Sequence, residues 1–166
     1  MKILSAIAAA LLVSVLVVSC SHPTTTNPGT PPSSGRFTVA ASVDGVAYSA
    51  GATMTVTQIP PNYWVVVQST ASGNRSMTLT FKFPTNSTFP PPKNLTLSQF
   101  TGTYSESSVA TWPINTDSAA TITINSFTYS YADTTFSADF SFKASGGIPS
   151  GIQSTKTITG GTVRTN

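Results

Sequence analysis

The sequence predicts an all-β fold. The expected form is a single antiparallel β-sandwich or, in the alternative, a partly closed up-and-down β-barrel, with about eight to ten strands. Three observations predict it. Apolar and polar residues alternate with a period of two in almost every segment after Arg36. Short turn signals separate those segments at the spacing of all-β domains. No segment after residue 35 carries a 3.6-residue period. Composition agrees. The 166 residues include 24 Ser and 28 Thr, and only 8% are charged. Threonine favours strands while staying wettable. A coiled coil and a charge-driven disordered chain are both excluded.

Each element follows in order. Phe37, Val39 and Ala41 share one face of the first strand. Asp44-Gly45 follows, a pair suited to a turn with positive φ at both positions. Residues 46–50 return as the second strand. Residues 53–59 alternate next, and Pro60-Pro61 breaks them. Residues 62–70 contain Tyr63, Trp64 and three valines, and read as a central strand. Residues 71–74 make a turn. Residues 75–83 alternate most cleanly, with Met77, Leu79, Phe81 and Phe83 one way and Thr78, Thr80 and Lys82 the other. Residues 84–94 hold four prolines and predict a loop across one end of the fold. Residues 96–104 include a short turn, with Leu95, Leu97 and Phe100 plugging the core. Residues 109–114 form a short strand that Pro113 marks as an edge. Residues 120–131 change phase at Asn125-Ser126, which predicts a β-bulge. Residues 132–134 turn the chain. Phe136, Ala138, Phe140 and Phe142 then alternate with polar partners. Gly146, Gly147, Pro149 and Gly151 mark a loop. Residues 155–165 close the chain, with Gly160-Gly161 as a second bulge. No solenoid-type repeat is present.

The N-terminus speaks to location. Lys2 precedes an apolar run at residues 3–18, interrupted only by Ser5 and Ser14. That run is shorter than the about 20 residues a spanning helix needs, and it suits the h-region of a signal peptide. It ends in Val17-Val18-Ser19-Cys20, which resembles the lipobox of bacterial lipoproteins. The resemblance implies a signal peptide at residues 1–19 and a lipidated Cys20, whose thiol takes a diacylglycerol and whose new amine is acylated. One acyl chain anchors marginally, whereas two or three hold firmly. The chain has a single cysteine, so it can form no internal disulfide. Residues 21–35 contain no apolar side chain larger than proline. Such a stretch cannot offset its ordering entropy, so it reads as a flexible tether. The folded domain is expected at residues 36–166.

Further residues extend the resemblance. The run from Phe37 to Ala50, with Val43-Asp44-Gly45 at its turn and Tyr48 after it, is similar to the opening of small β-rich lipoproteins of Bacteroidetes. Residues 136–144 and 157–163 resemble the closing strands of that family. The resemblance implies an envelope protein attached to the outer membrane through lipid on Cys20. It implies no catalytic residue, because the family has no settled activity. Ser21-His22-Pro23-Thr24 lacks the acids that some surface-displayed lipoproteins of the phylum carry. The periplasmic and exterior faces therefore both stay open.

Residues that carry chemistry are few. The single histidine, His22, lies in the tether, which excludes a Ser-His-Asp triad. A zinc site lacks its usual ligands, and no cofactor or metal is expected. Of the five acids, Asp44 and Asp133 fall in turns and Asp139 alternates outward. Glu106 and Asp117 remain as loose candidates for the facing carboxylates of a glycosidase. Asn115 and Asp117 with backbone carbonyls would make only a sparse calcium site. The seven cations after residue 35 are scattered singly, which speaks against nucleic acid as a partner. Aromatic residues are better candidates. Trp112 lies beside Pro113 in an edge segment, and with Tyr104 and Tyr48 it is the expected sugar-stacking platform. Trp64 sits among valines and is expected in the core. Asp117-Ser118-Ala119 and Asp133-Thr134-Thr135 resemble the short O-glycosylation acceptor of Bacteroidetes, which marks Ser118 and Thr134. The functional expectation is a non-enzymatic, lipid-anchored binding module of the cell envelope, with glycan as ligand. The alternative is a structural or protein-partner role without a small ligand. A glycan-active hydrolase ranks third. Oligomeric state is left open.

Overall fold

The computed structural model describes residues 36–85, 93–129, 133–147 and 153–166. The signal peptide, Cys20, His22 and the tether lie outside the described residues, as does Tyr131. The alternating sequence forms ten strands: β1 (Phe37–Val43), β2 (Val46–Ile59), β3 (Asn62–Thr70), β4 (Ser76–Pro84), β5 (Lys93–Asn94), β6 (Phe100–Ser105), β7 (Thr111–Pro113), β8 (Thr121–Tyr129), β9 (Thr134–Gly147) and β10 (Gln153–Thr165). All belong to one antiparallel sheet in the order β10-β1-β2-β3-β4-β6-β7-β9-β8-β5. β10 also pairs with β9, so the sheet rolls into a partly closed ring. The seam lies between β7 and β9, which pair at Thr111↔Gly147 and, just beyond β7, through the bridge Ile114↔Ala144 and the Asn115 amide donating to the Lys143 carbonyl. β8 pairs with the first part of β9 and carries β5 on its other edge. The all-β prediction holds, and the architecture is one rolled sheet rather than an even barrel.

Local chemistry explains the turns. Asp44 and Gly45 both have positive φ, at 50° and 83°, as a two-residue hairpin between Val43 and Val46 demands. The two expected bulges are present. β8 shifts register between Ile124 and Ser126, and β10 shifts between Ile158 and Gly161. Boundaries differ from expectation at three places. Residues 93 and 94, expected in a loop, form β5, and Gly146 and Gly147, expected in a loop, are the paired end of β9. At the third, residues 46–50 and 53–59 are a single strand, β2, rather than two. Tyr48, Ala50, Ala52 and Met54 keep one inward parity, so nothing in the pattern breaks the strand at Gly51.

The inward face makes one core. Phe37, Val39, Val65, Val67, Leu79, Phe81, Phe83, Ile124, Phe136, Ile158 and Val163 are fully buried there. The ring interior is tight enough that a Cβ on Gly102 of β6 would lie 2.7 Å from the Phe142 ring of β9. Where β8 has no backbone pairing with β4, aromatic rings fill the gap. Phe127 packs 5.3 Å from Tyr63 and 5.0 Å from Phe83, and Phe81 packs 4.9 Å from Phe136. Edge-to-face contacts of this kind add to area burial. β2 and β3 run on past the start of β1. β1 begins at Phe37↔Ala52, whereas β2 and β3 stay paired to Ile59↔Asn62. Their hairpin therefore runs past the end of β1, with β4 paired beside it to Asn62↔Pro84.

Candidate functional site

Tyr48, Tyr104 and Trp112 do come together, but inside the protein. β4 and β6 align Met77 with Tyr104, and β6 and β7 align Tyr104 with Trp112. Ring centroids lie 6.3 Å apart for Tyr48–Tyr104 and 6.0 Å apart for Tyr104–Trp112. Their exposures are 1%, 1% and 4%, respectively. The sequence expectation of an exposed platform is corrected here. All three share the inward parity of their strands, and β7, expected at an edge, lies between β6 and β9.

Each polar atom of this cluster has a partner. The Tyr48 hydroxyl lies 2.8 Å from Ser69 Oγ, which also donates to the Met77 carbonyl. The Tyr104 hydroxyl donates to Glu106 Oε1 at 3.3 Å, and Trp112 Nε1 donates to Ser154 Oγ at 2.9 Å. Lys156 closes the end. Its Nζ lies 4.9 Å over the Trp112 ring, 2.7 Å from Glu106 Oε1 and 3.5 Å from Asp44 Oδ2. The hydrogen bond to Glu106 pushes the Lys156 pKa up. Burial pushes up both phenols, and the Glu106 charge adds to the effect at Tyr104. Glu106 and Asp44 thus converge, but on a lysine.

The other sequence candidates lie apart. The Asp117 amide donates to Asn115 Oδ1, and Ser118 Oγ donates to the Asn115 carbonyl. Both bonds belong to the turn before β8. Among the described residues, no group of three or more His, Cys, Asp or Glu side chains converges as metal ligands would. Ser118 is half-buried, and Thr134 is the half-buried first residue of β9. Asp139 faces outward as expected. Burial works to raise its pKa, but hydrogen bonds from Asn125 and Arg164 with the Arg164 charge outweigh it and hold the carboxyl below its usual range.

A different aromatic reaches the surface. Trp64 is half-buried on the outer face of β3, with Lys82 Nζ 5.0 Å from its ring. Its expected place in the core is corrected. Val65 and Val67 point inward, so Trp64, Val66, Gln68 and Thr70 point outward. The polar residues Gln68 and Thr70 share the parity of Trp64, and that signal was present in the sequence. Flanking strands add hydroxyls in register. Thr55 and Thr80 bracket Val66, while Thr53 and Thr78 bracket Gln68. At the Gly51 end lies a shallow depression of about 650 Å³, lined by Gly51, Thr53, Gln68, Thr70, Ser76 and Thr78 among others. None of its lining residues is charged. A smaller depression of about 170 Å³ sits at the Gly160-Gly161 bulge beside Asp139 and Thr162.

No family model, no curated protein and no solved structure matches this chain. The site must therefore be read from its own chemistry.

Proposed function

We propose that this protein is a lipid-anchored, non-enzymatic binding module of the cell envelope, and that it takes glycan on the outer face of β2, β3 and β4. One observation carries the reading. Trp64 stands on the outer face of β3 with Lys82 over its ring, and on the same face the depression beside Gly51 is lined by hydroxyl and amide groups without a single charge. A phosphorylated or strongly ionic ligand would leave its charge unpaired there. A neutral polyhydroxy chain would exchange hydrogen bonds with threonines and glutamine and lay an apolar ring face near the indole. Outward positions on one strand repeat every two residues, about 6.8 Å, so the strip from Trp64 to Thr70 suits a linear glycan rather than one sugar. The lipobox at Cys20 supplies the anchor in this reading.

The test is calorimetric titration of the full chain in detergent with neutral and acidic polysaccharides. A neutral glycan is expected to bind. Gln68→Ala and Trp64→Ala should each weaken it by about tenfold, or roughly 1.4 kcal/mol, with circular dichroism unchanged. Binding that survives both substitutions would place the ligand elsewhere. No binding to any glycan would favour the partner-binding alternative.

A further inference from the structure

The β2–β3 hairpin runs past β1, and among the described residues one backbone edge of β2 has no strand beside it. β1 pairs with β2 only from Phe37↔Ala52 to Val43↔Val46, whereas β3 pairs with β2 as far as Ile59↔Asn62. Among the described residues, no strand pairs with the β1 side of β2 over residues 53–59. In an antiparallel ladder, backbone groups point to alternate sides from residue to residue. Val46 and Val43 flank a two-residue turn and bond each other, so Val46, Tyr48, Ala50 and Ala52 face β1. By the same parity, Met54, Val56 and Gln58 offer their N–H and C=O groups to the open side.

Natural sheets protect such edges with lysine, proline, inward charge or a bulge. Residues 53–59 read Thr-Met-Thr-Val-Thr-Gln-Ile and contain none of these. Ile59 at the tip is 57% exposed.

We infer that this edge pairs with the same edge of a second copy, as a two-fold dimer with one continuous sheet. The edge itself argues for that occupant. Antiparallel pairing about an axis at Val56 sets Val56 against Val56 of the second copy and Met54 against Gln58 of the second copy. Every bonding position then meets a bonding position. On the outer face Thr55 meets Thr57 of the second copy. No charge opposes another, because the edge has none, and Lys82 lies two strands away. Residues 53–59 offer no charge to a partner of different chemistry, and Arg36 at the start of the edge is already paired with Asp133. An identical neutral edge sets threonine against threonine on the outer face and valine against valine at the axis. The contact is a single strand pair, so association is weak and concentration-dependent. It would also set two Trp64 faces on one sheet, and a long glycan could then bind both at once.

Sedimentation of the full chain in detergent tests this. Mass is expected to rise from one chain toward two as concentration increases. Thr55→Lys/Thr57→Lys and Thr55→Glu/Thr57→Glu change exposed outer positions. Each pair should weaken the dimer at least about tenfold through like-charge opposition. Mixed one to one, the two variants should form a heterodimer tighter than either alone. Gln58→Pro, which removes an edge N–H, should weaken association as well. A chain that stays monomeric at every concentration overturns the proposal. So does a dimer that none of these variants weakens. Slow amide exchange at Met54, Val56 and Gln58 in a monomer also overturns it, by showing that the chain itself fills the edge.

Discussion

The closed end of the ring and the β2–β3 hairpin that runs past β1 use the same alternation to opposite ends. At the closed end, Tyr48, Tyr104 and Trp112 turn inward and are capped by Lys156, Glu106 and Asp44. On the hairpin, Trp64 turns outward among threonines, and one edge of β2 has no strand beside it among the described residues. The difference teaches that an aromatic residue in a strand takes its role from parity and from what its sheet closes upon. The type of residue decides neither. One end buries its aromatics in the core, and the other holds its single tryptophan half-buried on the outer face.

Substitution can break that contrast. The largest effect is expected at the closed end. Trp112→Ala removes a buried ring and should lower unfolding free energy by about 3–5 kcal/mol, whereas Trp64→Ala should cost under about 1 kcal/mol. Chemical denaturation of both variants measures the difference, and equal losses would erase the distinction between the two regions. Next comes the interior that joins them. Gly102→Val drives a side chain into the Phe142 ring. Overpacking of this kind should cost about 1–3 kcal/mol, read as a fall in Tm.

Alkaline pH sharpens the comparison. Tyr48 and Tyr104 have pKa values above the ordinary 10.0, and Lys156 lies above 10.5. Groups whose folded pKa is raised hold their protons more tightly when folded. Their contribution is complete below the unfolded values and declines as pH rises through the folded ones. The closed end should therefore loosen first above about pH 10. A fluorescence change in the Trp64→Phe variant, where Trp112 alone reports, would follow it. A change confined to the Trp112→Phe variant would reverse the order of the two regions. The smallest effect is expected at Lys82, whose Nζ lies over the Trp64 ring. Lys82→Ala should cost at most about 1 kcal/mol and shift Trp64 emission to the red, with no change at Trp112.

Much of the fold was legible from local chemistry. Asp44-Gly45 could serve only as a turn of positive φ, and the phase change at Asn125-Ser126 and the paired glycines at residues 160–161 announced their bulges. The candidate site was less legible. Trp112 was drawn toward the surface by Pro113, although its own parity buries it. Trp64 was drawn toward the core by its valine neighbours, although Gln68 and Thr70 fix its side. The convergence of Glu106, Asp44 and Lys156 could not be read at all, because it joins the β6–β7 turn, the β1–β2 turn and β10 across long separations.

The sequence by itself determined the strand class, the main turns and the two bulges, because each depends on a period of two or on backbone freedom within a few residues. The tertiary structure alone decided how the sheet rolls, where its seam falls and how far β2 outruns β1. Those outcomes depend on pairing between distant strands, which local pattern does not encode. They decide in turn which tryptophan is buried, where an uncharged depression opens and which edge of β2 has no strand beside it among the described residues.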